Sequence, residues 1–103
     1  MNIQIKSENF ELDEKIKDYA RERVYMLTKY LGDVSIIDAK VKLAMTTNRH
    51  QKGDIYECEM ALALPGETLR VSKTTSDIFK AVDKVKDHLI RSIKKYKEKK
   101  AEV

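Results

Sequence analysis

The densest group of charged side chains in this sequence lies near its end, in "IRSIKKYKEKK", residues 90–100, where six Lys or Arg accompany one acid. On a helix with about 100° per residue, measured from Ile78, five basic residues lie on one side, between roughly 200° and 280°. The residues on that side are Lys80, Lys84, His88, Arg91 and Lys95. The four permanently charged members recur at spacings of four, seven and four. In a straight helix they form a line of about 22 Å. We call this line the α2 ridge, because it lies on the second predicted helix, α2, which the wheel covers over residues 78–97.

A line of this kind can follow a phosphodiester backbone, because Lys supplies a point charge and Arg a fork of donors suited to phosphate oxygens. Such contacts release counterions and set affinity without reading sequence. The alternative is a solvated helix face, since the helix dipole favours cations near a C-terminus. Asp87, at the edge of the ridge, is also placed to pair with Arg91. The pattern alone leaves both interpretations open.

The distribution of charge favours an anionic partner. The chain of 103 residues carries a net charge of +4. Charges cancel over residues 1–75, whereas residues 76–100 hold nine Lys or Arg against four acids. Because all the excess positive charge lies in one segment, a polyanion is the expected partner.

Basic residues elsewhere are more ambiguous. On the first predicted helix, Lys29 is mixed with acids, which is typical of a solvated face. Arg23 lies near the middle of the apolar stripe of that helix, so it either extends past the sheet edge or reaches a ligand beside the second helix. The segment "NRHQK", residues 48–52, is interpreted either as an RNA contact at a hairpin tip or as a plain polar turn.

Groups for catalysis or metal binding are not assembled in the sequence. Cys58 falls on the apolar side of a strand, where an inert thiol is expected. His50 and His88 have no Cys or carboxylate at metal-ligand spacing, and no Gly-rich loop or nucleophile motif occurs. We therefore expect no enzyme, cofactor, metal or small-molecule substrate. No apolar run approaches the roughly 20 residues of a membrane span and no signal peptide is evident, so we expect a cytoplasmic protein.

Hydrophobic periodicity predicts the elements that position these groups. "NIQIK" alternates as a strand, and Asp13 is the expected cap of a helix that ends at Gly32. Two alternating runs follow, with Ile37, Ala39, Val41, Leu43 and Met45 inward in the first and Tyr56, Cys58, Met60, Leu62 and Leu64 inward in the second. Pro65 and Gly66 predict a type II turn into a third strand with Leu69 and Val71 inward. Ser76 is the predicted cap of the last helix, with Asp77 in its first turn.

These elements predict an α+β fold in the order β-α-β-β-β-α. Each helix has one apolar stripe and each strand one apolar side, so two helices on one face of a mixed four-stranded sheet bury both. Val82, Val85, Leu89, Ile93 and Tyr96 form the predicted stripe of the last helix. The other sheet face presents Lys and Glu to water. We expect one domain over residues 1–100 and a short tail at 101–103.

The whole chain resembles the short ribosome hibernation-promoting factors, a ribosome-associated inhibitor family also known as sigma-54 modulation proteins. "DYARERVYMLTKYLGD" is similar to the first helix of the family, and "NRH" and "LPGETLR" resemble its hairpin tip and the following turn. The strongest likeness is "DIFKAVDKVKDHLIRSIKKYK", which resembles the family's run from the last helix. The resemblance covers residues 1 to about 100.

The resemblance implies a fold similar in shape to double-stranded-RNA-binding domains. It also implies a stress or stationary-phase role, in which the protein occupies the small-subunit channel, covers the mRNA path and the A- and P-site tRNA positions, and silences the ribosome. Basic residues of both helices would contact the rRNA. By position these are Arg23, Lys29, His88, Arg91, Lys94 and Lys95. Lys80 and Lys84 belong to the site by the helical wheel alone.

The sequence departs from the family at three positions. His88 stands where the family usually has Lys, Ser92 replaces a common Gln, and Lys86 occupies a usually apolar place. The chain also ends soon after the helix, so we expect no C-terminal dimerisation domain and, as an implied partner, a separate small ribosome-dimerising protein. The alternative function is a protein-binding regulatory module that uses the exposed sheet face with Lys40, Lys42, Glu57 and Glu59.

Overall fold

Six elements follow the predicted order β-α-β-β-β-α in the computed structural model, which describes residues 1–46 and 55–101. Their bounds are β1 Asn2–Glu8, α1 Glu14–Leu31, β2 Asp38–Met45, β3 Tyr56–Leu64, β4 Glu67–Thr75 and α2 Ile78–Ala101. The predicted hairpin-tip segment "NRHQK", with His50, lies outside the described residues. Within the described ranges, no helix has both the length and the apolar character that crossing a bilayer requires.

The four strands form one mixed sheet in the order β1-β2-β3-β4. β1 is parallel to β2, β2 is antiparallel to β3, and β3 is antiparallel to β4. β1, β2 and β4 therefore run in one direction, and the helices that follow β1 and β4 both begin at the same end of the strands. Both helices pack into one core with the inward strand residues, so the predicted fold class is confirmed.

Side-chain to backbone bonds define both ends of α1. The Asp13 carboxylate accepts a hydrogen bond from the Ile16 amide at 3.0 Å, which satisfies one of the free donors at the helix start. Gly32 ends the helix with φ near +63°, a backbone conformation that residues with a Cβ rarely adopt. Lys97 of α2 donates to the Tyr30 carbonyl at 3.2 Å, so α2 also caps the last turn of α1.

The cap of α2 is Asp77, and the prediction of Ser76 was wrong by one residue. The Asp77 carbonyl accepts the first helical bond, from the Ala81 amide at 3.0 Å, and its carboxylate accepts from the Phe79 amide at 2.8 Å. The Thr75 hydroxyl accepts from the Asp77 amide at 3.1 Å and donates back to the Asp77 carbonyl. Ser and Asp are both good caps, so only the geometry of the entering strand selects between them.

The predicted alternation holds inside the sheet and fails at its border. Ala39, Val41 and Leu43 are buried as predicted, but Ile37 is 61% exposed while Ile36 is buried. Period two applies only to paired strand residues, and β2 starts at Asp38. Ile36, which precedes the strand, packs into the core instead. The prediction that Ile37 points inward was therefore wrong.

The apolar stripe of α2 is buried as the helical wheel predicts. Its members below 4% exposure are Ala81, Val82, Val85, Leu89, Ile93 and Tyr96, whereas Ile78 at the helix start is half-buried. The Tyr96 hydroxyl donates to the Pro65 carbonyl at 2.7 Å, which anchors the helix to the turn between β3 and β4. Gly66 in that turn has φ near +83°, as the predicted type II turn requires. Burial of this stripe fixes which side of α2 faces water.

Candidate nucleic-acid interface

The α2 ridge is on the outer surface of the molecule. Lys80, Lys84, Arg91 and Lys95 are all exposed, and Lys94 lies beside them, also exposed. Over residues 1–46 and 55–101, no carboxylate forms an ion pair with any of these five side chains. The ridge therefore carries positive charge that the described part of the chain does not neutralise.

Asp87 does not form the ion pair that its position suggested. Its carboxylate lies 3.2 Å from the ammonium of Lys86 and forms no ion pair with Arg91. The Lys86 side chain is only 18% exposed, because its stem runs beside the core stripe and its ammonium extends to the surface. Lys86 thus pairs with Asp87, and Arg91 has no ion-pair partner among the described residues.

A shallow cavity of about 290 Å³ separates the ridge from strand β4, and its lining includes Lys84, Arg91, Asp87 and Lys73. Lys73 is not among the site residues that the sequence predicted. It follows Leu69 and Val71 at intervals of two, so the period of the strand places its side chain on the helix-facing side of the sheet. That signal was present in the sequence, but it does not reveal that Lys73 lies beside Arg91.

His88 is half-buried beside the ridge, and its Nδ1 is buried with no hydrogen-bond partner within the described ranges. Burial lowers the pKa of His88 below the ordinary 6.5, and the charges of Lys73, Arg91 and Lys95 lower it further. The imidazole is therefore neutral near pH 7, and it offers hydrogen bonding where a Lys would offer charge. Ser92 donates to the His88 carbonyl at 3.2 Å, within its own helix.

Arg23 lies between the two helices, and its guanidinium contacts side chains of both. Its Nε donates to the Asp83 carboxylate of α2 at 3.1 Å, and Nη1 contacts Glu22 at 3.2 Å. Its guanidinium carbon stands 3.9 Å from the centre of the Tyr19 ring, and the Tyr19 hydroxyl donates to Asp83 at 2.7 Å. Burial and the hydrogen bond to Asp83 raise the pKa of Tyr19. With its side chain 19% exposed, Arg23 joins the helices more than it offers charge to solvent.

Lys29 is exposed in the last turn of α1, with its ammonium 5.5 Å from the centre of the Tyr30 ring. Both helices begin at the same end of the strands, and Lys97 contacts Tyr30, so Lys29 lies beside the C-terminal half of α2. The structure thus brings Lys29 and the second half of the α2 ridge toward the same end of the helical layer.

Two ion pairs join neighbouring strands on the opposite sheet face. Lys42 lies 3.4 Å from Glu57, and Arg70 lies 3.6 Å from Glu59. The charge of Glu57 raises the pKa of Lys42, which keeps the Lys42 ammonium charged. A cavity of about 370 Å³ opens on this face, lined by both signs of charge. Lys6 and Lys40 of this face form no ion pair among the described residues, but acids such as Glu8 line the same cavity, so this face mixes both signs of charge where the α2 ridge carries one.

Reactive and metal-binding groups are not gathered at any point of the described chain. Cys58 is buried, and burial raises the pKa of its thiol to about 12, so no nucleophilic thiolate is present at neutral pH. Among residues 1–46 and 55–101, no three His, Cys, Asp or Glu side chains cluster as metal ligands would.

Comparison with known families and curated proteins gives one consistent result. Residues 3–101 match the profile of the family described as sigma 54 modulation protein / S30EA ribosomal protein. The ribosome hibernation promotion factor of Lactococcus lactis subsp. cremoris is 31% identical over 97 residues, which is 94% of this chain and 50% of the relative. The factor of the same name from Staphylococcus aureus is 27% identical, over 94% of this chain and 48% of the relative. The chain thus spans about half the length of these curated relatives.

Solved structures resemble the chain over almost its whole length. The N-terminal domain of Thermus thermophilus Protein Y superposes with a TM-score of 0.77 at 28% identity and covers 93% of this chain and 99% of that one. A ribosomal subunit interface protein from Coxiella burnetii gives a TM-score of 0.78 at 16% identity, covering 95% and 99%, a likeness that concerns the fold alone.

Proposed function

This chain belongs to the family described as sigma 54 modulation proteins and S30EA ribosomal proteins, and from that premise we propose that it is a ribosome hibernation factor. It binds the rRNA of the small ribosomal subunit and occupies the channel for mRNA and for A- and P-site tRNA. It acts in the cytoplasm under stress or in stationary phase, and it inhibits translation by occlusion rather than by catalysis. The proposed rRNA contacts are Arg23, Lys29, Lys80, Lys84, His88, Arg91, Lys94 and Lys95.

The observation that carries this proposal is the uncompensated charge of the α2 ridge. An exposed line of Lys and Arg releases counterions when it meets phosphates, so affinity comes from neutralisation and falls with salt. Contacts to phosphates carry no sequence information, and specificity for folded RNA comes from the shape of the site. Support also comes from the names of the curated relatives, two ribosome hibernation promotion factors.

The direct test reverses three charges of the ridge. We expect Lys84→Glu/Arg91→Glu/Lys95→Glu to abolish co-sedimentation with small ribosomal subunits while the circular dichroism spectrum stays unchanged, since these side chains are exposed. The wild-type chain should lose affinity steeply between about 50 and about 200 mM salt. Co-sedimentation of the triple variant at the wild-type level would exclude the ridge as the contact surface.

A matched pair of variants controls for net charge. Arg91→Glu/Lys95→Glu and Lys6→Glu/Lys40→Glu change the net charge equally, but the second pair lies on the opposite sheet face. We expect only the first pair to weaken binding strongly. Equal losses would mean that overall charge, and not the ridge, sets affinity.

The second candidate function is a protein-binding regulatory module that acts on the transcription machinery or another partner through the sheet face. The cavity beside Lys40, Lys42 and Glu59 favours it, whereas the internal ion pairs of that face leave less charge for a partner. Capture of partners before and after nuclease treatment separates the two functions. A partner that survives loss of RNA and is lost in Lys6→Glu/Lys40→Glu would support the module.

A further inference from the structure

Lys73 occupies an unusual position for a lysine. It lies on the helix-facing side of β4, half-buried, between the buried side chains of Val71 and Thr75. β4 is an edge strand of the sheet, since β3 is its only neighbour among the described strands. A Lys at this place cannot enter the core as a charge, so its stem follows the apolar surface and its ammonium emerges beside α2.

The surroundings of Lys73 are cationic. Lys84 and Arg91 of α2 share the cavity of about 290 Å³ with it. Lys73, Arg91 and Lys95 are all close enough to His88 for their charges to lower its pKa. The one acid in the lining is Asp87, and its carboxylate pairs with Lys86. Within the described residues, the cations of this cavity thus face one another without an ion-pair partner of their own.

Bringing like charges together from two elements costs free energy unless an anion joins them. A phosphate suits this cavity, because its oxygens accept hydrogen bonds from several donors at once and Arg binds it through a fork of N–H groups. His88, which the charges of Lys73 and Arg91 reach, has a lowered pKa and as a neutral ring adds no charge to this repulsion. The site is open to the surface, as a phosphate within a nucleic-acid strand requires.

We infer that the groove between β4 and α2 binds a backbone phosphate of the RNA, with Lys73 as a further contact residue opposite Lys84 and Arg91. This inference rests on the proposed function and extends it. The interface is then a cleft with cations on two sides, and the RNA strand lies between α2 and the edge of the sheet instead of along one helix.

The competing explanation assigns Lys73 a protective role. An inward-pointing charge on an edge strand discourages pairing with the edge of another sheet. That role predicts that removing the charge promotes self-association and leaves RNA binding intact. The two explanations therefore differ in what Lys73→Gln changes.

The experiment measures affinity for purified small ribosomal subunits as a function of salt. Lys73→Gln should weaken binding and reduce the slope of log K against log salt by about one unit, the effect of one lost phosphate contact. The matched control Lys6→Gln removes an exposed Lys of another edge strand on the opposite face, and its slope should equal that of the wild type. A wild-type slope in Lys73→Gln would overturn the inference, and self-association of that variant would then favour the protective role.

A second measurement does not depend on a variant. Acylation of lysine ammonium groups, followed by mass spectrometry, should show Lys73 protected when the wild-type chain is bound to subunits, and Lys6 equally reactive in both states. Lys73 that stays reactive in the complex would contradict the inference. A separate result would show that the proposed function itself is wrong: Lys84→Glu/Arg91→Glu/Lys95→Glu would then bind the subunits as well as the wild type.

Discussion

At the scale of single residues, the candidate site is defined by which charges are paired. Arg23 forms an ion pair with Asp83, and Asp87 forms one with Lys86. Arg91 has no ion-pair partner within the described residues. A paired cation must give up its partner before it binds phosphate, which offsets part of the Coulomb gain. We therefore expect Arg23 to contribute less to phosphate binding than Arg91, although the family resemblance implied a contact for both.

At the same scale, His88 leads to a prediction of how the free energy of unfolding depends on pH. Its folded-state pKa lies below 6.5, so the unfolded chain binds a proton more readily. The stability from the neutral ring is complete above pH 6.5 and is lost as pH falls through the folded-state pKa. We expect the free energy of unfolding to decrease on acidification from about pH 7.5 to 5.5, and His88→Gln to make that decrease smaller.

Urea titrations of both proteins at several pH values provide the measurement. The comparison with His88→Gln removes the contribution of other titrating groups, which the two chains share. Identical pH profiles would show that burial and the three neighbouring cations do not act on His88 as inferred.

At the scale of elements, the two faces of α2 have different roles. The buried stripe holds the helix on the sheet, and the opposite face carries the α2 ridge. Its direction is set where it begins, because Thr75 and Asp77 bind each other as the chain leaves β4. A shift of that start by one residue would rotate the ridge by about 100° and turn it away from Lys73.

A prediction at the start of α2 tests whether Asp77 or Ser76 caps the helix. Asp77→Ala removes the carboxylate that accepts from the Phe79 amide, and we expect it to lower the free energy of unfolding by about 1 kcal/mol. Ser76→Ala should change it by less than about 0.5 kcal/mol, since Ser76 is exposed and is not the cap. Denaturant unfolding of the two variants checks this, and a larger loss in Ser76→Ala would restore Ser76 as the cap.

At the scale of the whole molecule, the charges are divided between two sides. The helical side carries the α2 ridge, whose cations have no ion-pair partner within the described residues, and the wet sheet face mixes cations and acids, with cross-strand pairs such as Lys42 with Glu57. The molecule is elongated, with extents of 46 × 27 × 17 Å. An elongated body with one cationic side suits a channel lined with RNA, because that side can meet phosphates along its length.

Occlusion of such a channel predicts competition at this scale. On small ribosomal subunits, the wild-type chain should displace a labelled mRNA and an initiator tRNA, and each ligand should raise the apparent dissociation constant of the chain. Filter binding with the labelled ligands measures this effect, and Lys84→Glu/Arg91→Glu/Lys95→Glu serves as the inactive control. Simultaneous, independent binding of chain and mRNA would contradict occlusion of the channel.

The sequence by itself determined the elements, the fold class and the two faces of α2. Strand and helix periods are local properties, so the positions of Val41, Met60 or Leu89 in the core could be inferred without knowing their partners. The exposure of Lys84, Arg91 and Lys95 followed from the same periodicity, because whatever opposes a buried stripe must face water. The resemblance to a family, later confirmed, also came from the order and spacing of short motifs.

Only the tertiary structure decided which side chains meet. Arg23 pairs with Asp83 across 60 residues, and Lys73 shares a cavity with Arg91. Contacts of this kind depend on strand register and on how α2 lies against β4, and no local period encodes either. The borders of elements, as at Ile36 and Ile37, were also decided by packing, because alternation holds only within the ladder of strand pairs.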